Sequence, residues 1–302
     1  MKSKSIAIIL LNWNNSDFTI ECIKSLKKTS YTHKKIFVVD NASSDDSLTK
    51  ISTNFPNIDI IVNSKNLGFT GGNNVGIKRA LQENFDFIML LNNDTIVEES
   101  FIEPLINAFD CNVGAVQPLI LNYPDKETIW NNGGSIDNFF GRFISLDKNK
   151  NIMSIKKNKN KTSEWISGCC FMLRASLISK IGLLDEKFFV YFEDVDWSIK
   201  ISDLKLNLLI VQKSRIFHHE GASWNSKKRS SEGYVSPYTH YLNIRNHILI
   251  LRKHAKIFNS FGSIFFQIFK ISAYTTYFIL RFRFLKLRMV YKGLIDSLKT
   301  QI

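Results

Sequence analysis

Three acidic side chains stand within four positions in the segment Glu193-Asp194-Val195-Asp196, directly after a run of aromatic residues. Burial beside apolar rings raises the pKa of a carboxyl group and makes its carboxylate a stronger base. Asp194 could equally cap a helix that begins at Val195, and one residue can serve both roles. The cluster predicts a general base. We assign that role to Asp194 because it lies at the mouth of the predicted helix.

A second acidic segment, Asn92-Asn93-Asp94, follows the apolar run Phe87–Leu91. Oxygen ligands of this kind hold a hard divalent cation and leave positions open for phosphate oxygens. His218 ends another apolar stretch and either completes a metal site with Asp94 or fills the core. Spacing alone does not choose between His218 and His219. The sequence therefore predicts a divalent metal, Mn²⁺ or Mg²⁺, at Asp94, and leaves His218 open as a second ligand or a core residue.

The elements that must position these side chains alternate along the first 117 residues. Solid apolar runs predict strands covered on both faces, and the stretches between them have helical spacing. Such alternation predicts right-handed crossovers and a largely parallel sheet. The predicted strands are Ile6–Leu11, Lys35–Val39, Ile58–Val62, Phe87–Leu91 and Val113–Gln117, and the predicted helices are Asp17–Lys28, Asp45–Thr53, Asn73–Gln82 and Glu98–Phe109.

Polar residues follow four consecutive predicted strands, at Asn12, Asp40, Asn66 and Asp94. Each alone is explained as a turn or cap residue. Ligands of open parallel sheets bind outside the carboxyl ends of the strands, so the four together predict a polar crevice. The glycine-rich turn 66–74 opens a helix there, and its backbone N–H groups favour an anion such as a diphosphate.

Other ligand and function classes are excluded by the sequence. It contains neither GxGxxG nor GxxxxGK[ST], which argues against a dinucleotide enzyme and a P-loop NTPase. Hydrophobic residues make up 44% and charged residues 22%, so the chain can form a packed core. Its four cysteines include no CxxC pair, and we expect structural thiols without disulfides.

The second half of the chain departs from the first. Residues 118–164 predict an insertion with hairpins and an exposed basic loop, and 165–173 predict a strand. Helices are predicted near Ser176–Ile181 and Val195–Ser202, and strands near Asn207–Val211 and Ser214–His218. After Pro237 the chain is helical. We expect a catalytic domain over 1–236, with halves 1–117 and 118–236, and a basic helical region over 237–302.

The net charge of +13 is concentrated in residues 151–302. Nucleic-acid binding is one explanation, but a neutral half joined to a basic, aromatic tail fits an anionic membrane surface better. The stretch Ile257–Leu280 has one charge, Lys270. The tail therefore predicts helices packed on the catalytic domain, peripheral membrane contact or, least favoured, a spanning helix.

Several segments in this order resemble the family 2 glycosyltransferases, which are inverting enzymes with the GT-A fold that use nucleotide-sugar donors. The resemblance covers about residues 5–225, and YLNIRNHILILRKH is typical of a bacterial subgroup that includes rhamnosyltransferases of surface-polysaccharide assembly. The matching segments are VVDNASSDDS, NLGFTGGNN, LLNNDT, WISGCCFMLR, IGLLDEKFFVYFEDVDWSIK and IFHHEGAS.

The resemblance assigns roles to single positions. It implies that Asp94 is the metal-binding carboxylate of a DxD motif whose first position is Asn92, that Asp194 is the catalytic base, and that His218 contacts metal or diphosphate. Acceptor contacts are expected from Trp165 and Glu193. The positions that resemble the nucleotide-sugar site are Asn12, Asp40, Asn66, Gly71, Gly72 and Asn73, together with Asn92.

These roles imply transfer of a sugar from a nucleotide-sugar, with dTDP-rhamnose favoured and a UDP-sugar as the alternative donor. The expected acceptor is a glycan or a polyprenyl-diphosphate-linked glycan, with no nucleic-acid partner. We expect a cytoplasmic protein, at the inner face of the membrane if the tail binds lipid. The alternatives are a nucleotidyltransferase that makes sugar nucleotides and a non-catalytic sugar-nucleotide-binding relic.

Overall fold

A computed structural model describes residues 3–155, 160–219 and 232–302. The predicted exposed basic loop lies partly outside the described residues. The end of the segment IFHHEGAS, residues 220–223, lies wholly outside them. The chain divides into two compact units. The first holds residues 1–135, 145–189 and 193–220, and the second holds 136–144, 190–192 and the described part of 221–302. A domain boundary at residue 236 stays a prediction.

A mixed sheet forms the centre of the first unit, with strand order β10-β12-β6-β11-β4-β1-β2-β3. Strands β3, β2, β1 and β4 are parallel neighbours, while β11 runs antiparallel between β4 and β6. Strands β5 and β7 pair with β12 and β6. The strands are β1 Ile6–Asn12, β2 Lys34–Asp40, β3 Asp59–Val62, β4 Phe87–Asn92, β5 Thr95–Val97, β6 Val113–Asn122, β7 Ile129–Asn131, β8 Gly134–Asp137, β9 Arg142–Ser145, β10 Lys161–Ser163, β11 Cys170–Arg174 and β12 Asn207–His218.

Helices flank this sheet on both faces. In β1, Ile8 packs into the core on one face and Ile9 into the core on the other, which is why the run is continuously apolar. The predicted α/β fold of GT-A type, with a mostly parallel sheet and a C-terminal helical extension, is confirmed. The helices of the first unit are α1 Ser16–Lys27, α2 Ser47–Asn54, α3 Gly68–Gln82, α4 Ile102–Asn107, α5 Ile178–Ile181 and α6 Glu193–Asp203.

Some predicted element bounds are wrong. Helix α3 begins at Gly68 rather than Asn73, and α4 is shorter than the predicted helix 98–109. The predicted strand over 165–173 begins only at Cys170. The two strands predicted within 207–218 form one strand, β12, whose pairing with β6 shifts register between Val211 and Arg215. Such irregularities depend on the partner strand, which local sequence does not specify.

The second unit contains the helices α7 Pro237–Lys253, α8 Ser260–Leu280 and α9 Phe284–Lys299. Ile244 and Ile248 of α7 pack with Phe278 of α8 and Val290 of α9. Among the described residues, α8 is the one helix that is long and apolar enough to cross a membrane, and 22% of its apolar window is buried.

Candidate functional site

The ends of β1 and β2 hold a buried polar network. Asn12 and Asp40 are register partners, and Asn12 Nδ2 donates to Asp40 Oδ1 at 2.9 Å. Asp40 also accepts from the backbone N–H of Ser43 at 3.0 Å and from its hydroxyl at 2.6 Å, while Thr19 Oγ1 donates to Asn12 Oδ1. Because these contacts lock both side chains, the predicted pair forms a rigid polar edge at the end of the sheet.

Asn66 belongs to a second network, centred on a residue that the sequence analysis missed. Asn41 is buried and donates to Asn66 Oδ1 at 3.0 Å and to the carbonyl of Gly68 at 3.1 Å. Its own Oδ1 accepts from the backbone N–H of Leu67 at 3.0 Å. Asn41 therefore shapes the turn that enters α3. The sequence feature that could have indicated Asn41 is its position directly after Asp40, at the end of a predicted strand.

The glycine-rich start of α3 is held by protein groups. The N–H of Gly68 donates to Asn66 Oδ1 at 2.8 Å, and the N–H of Thr70 donates to the carbonyl of Phe189 at 3.1 Å. Leu67 likewise donates to Asn41. These three backbone N–H groups already donate to protein acceptors. An anion at this turn would therefore have to be bound by other groups.

The glycines of α3 are required by packing. A Cβ on Gly72 would lie 2.4 Å from Leu11 Cδ1, and one on Gly76 would lie 2.6 Å from Ile9 Cγ2. A Cβ on Gly71 would lie 2.7 Å from Leu67 Cβ. A side chain at Gly72 would therefore require Leu11 to move, which gives a packing reason for Gly72 that needs no ligand.

Two neighbouring asparagines in α3 have different partners. Asn73 donates to the carbonyl of Phe69 in its own helix at 2.9 Å. Asn74, which the sequence analysis missed, is buried, donates to the carbonyl of Leu184 at 2.9 Å and accepts from the N–H of the same residue at 3.0 Å. Asn74 therefore anchors the loop that leads towards the acidic cluster. A poor helix former within a helix was the signal.

Asp94 and His218 meet at the end of β4. Strand β5 pairs antiparallel with β12 so that Thr95 lies opposite His218, and His218 Nε2 is 3.2 Å from Asp94 Oδ1. The ring of Trp130 lies 4.4 Å from that of His218. His219 instead places Nε2 3.4 Å from Glu21 Oε2. Of the two histidines, His218 is therefore the one beside Asp94.

A divalent cation fits this pair. Asp94 Oδ1 is buried and makes no hydrogen bond of good geometry, and its near neighbour is His218 Nε2 at 3.2 Å, so the two atoms face one another as two ligands of one cation would. Within the part of the chain that the structure describes, no group of three or more metal-ligating side chains occurs. A cation here would take two ligands from the protein and the rest from phosphate oxygens and water, as hard cations at phosphate sites do.

Asp194 lies in the first turn of α6 and is joined to the end of β4. Its Oδ2 accepts from the N–H of Gly168 at 2.9 Å, and its Oδ1 accepts from the N–H of Val195 at 2.8 Å. The next residue, Cys169, accepts at its carbonyl from the N–H of Asn92 at 2.8 Å. A single dipeptide, 168–169, therefore connects the predicted base to the predicted metal segment.

Burial raises the pKa of Asp194 above its usual value, and the hydrogen bonds from the N–H groups of Gly168 and Val195 oppose this rise. The side chain is nevertheless only half-buried, so a substrate hydroxyl can reach it. A reachable carboxylate with a raised pKa has the properties of a general base.

The other acidic residues of the cluster differ from Asp194. Asp196 is fully buried and forms an ion pair with Lys200 at 2.9 Å, one turn along α6. Glu193 is buried and begins the helix. Helix α6 begins two residues earlier than predicted, so Asp194 lies within its first turn and not before it.

The backbone before the acidic cluster has an unusual conformation. Phe189, Tyr191 and Phe192 have φ of 64°, 74° and 73°. Non-glycine residues in this region cost on the order of 1–3 kcal/mol each and concentrate at functional sites. A Cβ on Gly68 would lie 2.5 Å from the carbonyl of Phe189, so α3 and this segment fit only with glycine there.

Trp165, predicted to contact an acceptor, lies against Gly134 of β8, with which it forms an isolated antiparallel bridge. Its Nε1 donates to the carbonyl of Ser135 at 3.3 Å, and a Cβ on Gly134 would overlap the indole ring. Trp165 is half-buried, so part of its ring is available. A contact with acceptor stays a prediction.

Three comparisons bear on this geometry. Residues 6–182, more than half of the chain, match the family model described as glycosyl transferase family 2. The chain belongs to that family. Its matched region contains β1 to β4, with the Asn12–Asp40 network and Asp94.

Relatives place this glycosyltransferase in glycan biosynthesis. It is 26% identical over 300 residues to a low-salt glycan biosynthesis hexosyltransferase of Haloferax volcanii, with 98% of this chain and 88% of the relative covered. It is 23% identical over 221 residues to the N-acetylglucosaminyl-diphospho-decaprenol L-rhamnosyltransferase of Mycobacterium tuberculosis, covering 67% of this chain and 71% of that one.

A solved structure shares the fold. The mannosyltransferase of Pyrobaculum calidifontis, solved with GDP-Man and Mn²⁺, superimposes with a TM-score of 0.57 at 11% identity. The match covers 100% of this chain and 77% of that one. At this identity the likeness shows the fold alone.

Proposed function

We propose that this glycosyltransferase is metal-dependent and inverting, and that Asp194 is its catalytic base. The observation that carries the proposal is the link through residues 168–169, which ties the raised-pKa carboxylate of Asp194 to the segment bearing Asp94. One carboxylate on the acceptor side and one metal-ligating carboxylate on the donor side suffice for a single displacement. No covalent nucleophile is needed.

In the proposed mechanism, Asp94 and His218 hold the cation, which when bound stabilises the charge that develops on the departing nucleoside diphosphate. The carboxylate of Asp194 accepts the proton of the acceptor hydroxyl as its oxygen attacks the anomeric carbon. The reaction resembles glycoside hydrolysis in passing through an oxocarbenium-like state. The attacking oxygen of the acceptor and the departing diphosphate must lie in line on opposite sides of the anomeric carbon. Asp194 then carries the proton and releases it to solvent.

The donor binds, in this proposal, along the strand ends that Asn12, Asp40 and Asn66 provide. Asn41 positions Asn66 and the turn into α3, and Asn92 lies partly exposed beside Asp94. Gly71 and Asn73 are proposed beside the donor, and Gly72 allows the close approach of α3 to the sheet, since it packs on Leu11. Glu193 and Trp165 are proposed on the acceptor side.

For the donor we favour dTDP-rhamnose, and for the acceptor a glycan or a polyprenyl-diphosphate-linked glycan. Support comes from the printed activity of the mycobacterial relative, an L-rhamnosyltransferase acting on a diphospho-decaprenol substrate. A UDP-sugar is the alternative donor.

The test is a donor panel. Purified protein is incubated with Mn²⁺ or Mg²⁺ and single sugar nucleotides, and released nucleoside diphosphate is measured with and without lipid-diphosphate acceptor. Release of a nucleoside diphosphate from one donor supports the proposal. Formation of a sugar nucleotide from a nucleoside triphosphate and a sugar phosphate would instead identify a nucleotidyltransferase, and donor binding without turnover a relic.

We also propose peripheral contact with an anionic membrane, at the cytoplasmic face. Exposed apolar side chains of α8 include Phe261, Ile264 and Phe265, and the chain from residue 252 onward has ten basic residues and one acidic one. Co-sedimentation with anionic vesicles that falls as salt rises would support this contact, because charges are screened within about 8 Å at physiological ionic strength.

A further inference from the structure

A cavity of about 380 Å³ lies within the second unit, and neither the donor site nor the proposed base uses it. Two cationic side chains and three aromatic rings line it, with one histidine. We call it the Lys270 pocket; its lining includes Arg142, Phe143, Phe192, His247, Phe266 and Lys270.

Lys270 is the only charged residue of α8. Its Nζ is 3.0 Å from His247 Nδ1, and His247 Nε2 is 2.6 Å from the carbonyl of Gly141. Since that carbonyl can only accept, His247 is neutral with its proton on Nε2, and Lys270 donates to Nδ1. Across the described ranges, no carboxylate forms an ion pair with Lys270 or Arg142.

Burial lowers the pKa of Lys270 to about 8 and that of His247 to about 3. A lysine held in this way remains mostly charged at neutral pH and lacks a neutralising partner. A buried cation without a partner is costly, so an anion that enters the pocket gains more there than at the protein surface.

The aromatic walls of the pocket are fixed. Phe192 stacks on His247 with ring centroids 5.3 Å apart, and Phe143 meets Phe192 edge-on at 5.5 Å. Asn246 Nδ2 donates to the carbonyls of Val190 and Tyr191 at 2.8 and 3.1 Å. Phe192 is followed in the chain by Glu193 and Asp194, so the pocket wall is continuous in sequence with the acidic cluster.

A second cavity of the same unit is apolar. It has a volume of about 480 Å³, and its lining includes Ile264 and Ile268 of α8, which are about 60% exposed. It also includes Gln267 and Ser263, which are more than nine-tenths buried and whose side-chain polar atoms have no hydrogen-bond partner. Helix α8 thus combines a cationic pocket with an apolar groove that contains unpaired polar groups.

We propose that the Lys270 pocket binds the phosphate or diphosphate group of a lipid-linked acceptor whose apolar chain occupies the groove along α8. Lys and Arg side chains are the usual partners of phosphate oxygens, and the apolar lining suits a hydrocarbon chain. This inference rests on the proposed function and names the chemical class of its acceptor as an isoprenoid or similar chain joined to a diphosphate.

The test is calorimetric titration of the full chain with farnesyl diphosphate, with sodium diphosphate and farnesol as separate probes. We expect farnesyl diphosphate to bind more tightly than either part. Lys270→Gln and Arg142→Gln should each weaken it at least about tenfold, the effect of losing a charge-assisted hydrogen bond. Lys256→Gln, which removes an exposed positive charge outside the pocket, is the matched control and should bind as the wild type does.

Several results would overturn the inference. These are unchanged affinity in both pocket variants, farnesol binding as tight as farnesyl diphosphate, or an equal loss in Lys256→Gln. Arg142 is exposed, so its variant keeps the test valid if Lys270→Gln fails to fold. Binding to phosphatidylglycerol vesicles that is lost in Lys270→Gln, without binding of farnesyl diphosphate, would assign the pocket to a phospholipid headgroup and overturn the acceptor assignment.

Donor hydrolysis without acceptor separates this inference from the proposed function. If the wild type and both pocket variants hydrolyse the sugar nucleotide and bind farnesyl diphosphate equally well, the assignment of the Lys270 pocket is wrong and the proposed function stands. Pocket-dependent binding in a protein that hydrolyses no sugar nucleotide would uphold the pocket and overturn the proposed function.

Discussion

His218 Nε2 lies 3.2 Å from Asp94 Oδ1, although the two residues come from distant parts of the chain. The antiparallel pairing of β5 with β12 fixes this contact, because it sets Thr95 opposite His218. His219, one position further, faces Glu21 instead. A one-residue change in register would exchange the two histidines, so the pairing itself selects the candidate metal ligand.

The first prediction concerns this pair. Asp94→Ala should abolish turnover that depends on Mn²⁺ or Mg²⁺, and His218→Gln should weaken cation binding in the presence of nucleoside diphosphate, since each removes one of two protein ligands. Cation affinity by calorimetry and release of nucleoside diphosphate are the measurements. His219→Gln is the matched control and should retain both. Full activity of Asp94→Ala, or of the wild type in excess chelator, would refute the metal assignment.

Gly72→Ala tests why glycine stands at that position. The added Cβ would lie 2.4 Å from Leu11 Cδ1, and overpacking of this kind costs about 1–3 kcal/mol. We expect the free energy of unfolding in urea to fall by that amount, with the KM for the donor nearly unchanged in the folded fraction. An unchanged free energy of unfolding with a higher KM would show instead that the site is open and that Gly72 contacts the donor.

The sequence predicts most strands and helices of the first unit because the apolar runs and helical spacing that specify them are local features. The run Ile6–Leu11 is apolar at every position, and the structure buries β1 on both faces. The start of α3 was predicted five residues late because a stretch with three glycines has low helix propensity. Its helical state depends on packing against Leu11 and Ile9, which belong to a different part of the chain.

The candidate site was predictable only in part, for the same reason. Asp194 and Asp94 stand out as acids beside apolar runs, but the link between them through Gly168 depends on how the loop before β11 folds. Asn41 and Asn74 resemble ordinary turn and helix residues in sequence. Their roles appear only when their backbone partners, such as Leu67 and Leu184, are brought close.

The pH profile of turnover tests the protonation state of Asp194. A base must be ionised to accept a proton, and burial raises the pKa of Asp194 above its ordinary value of 3.8. Lowering the pH should therefore reduce kcat with a midpoint above 3.8, and the decline should be absent from the residual activity of Asp194→Asn. Circular dichroism at each pH controls for unfolding. Constant kcat of the folded enzyme down to pH about 4 would contradict a raised pKa.

Asp196 provides the control for the role of Asp194, because the two acids are close in sequence and differ in environment. Asp196 is fully buried against Lys200. Its partner Lys200 is 25% exposed, so the loss of this half-buried ion pair should lower the melting temperature of Asp196→Asn without unfolding the protein. Its folded fraction should keep turnover near the wild-type value.

The role of Asp194 is tested most directly by the kcat of Asp194→Asn, measured beside donor affinity by calorimetry. Loss of a general base lowers turnover by at least about 10²-fold, while the donor should bind nearly as it does to the wild type, because Asp194 serves the acceptor. We predict that combination in a folded protein whose melting temperature is somewhat lower, because asparagine has a single acceptor oxygen for the two backbone N–H groups that donate to Asp194. Normal turnover by Asp194→Asn, with an inactive but folded Asp196→Asn, would contradict the central claim.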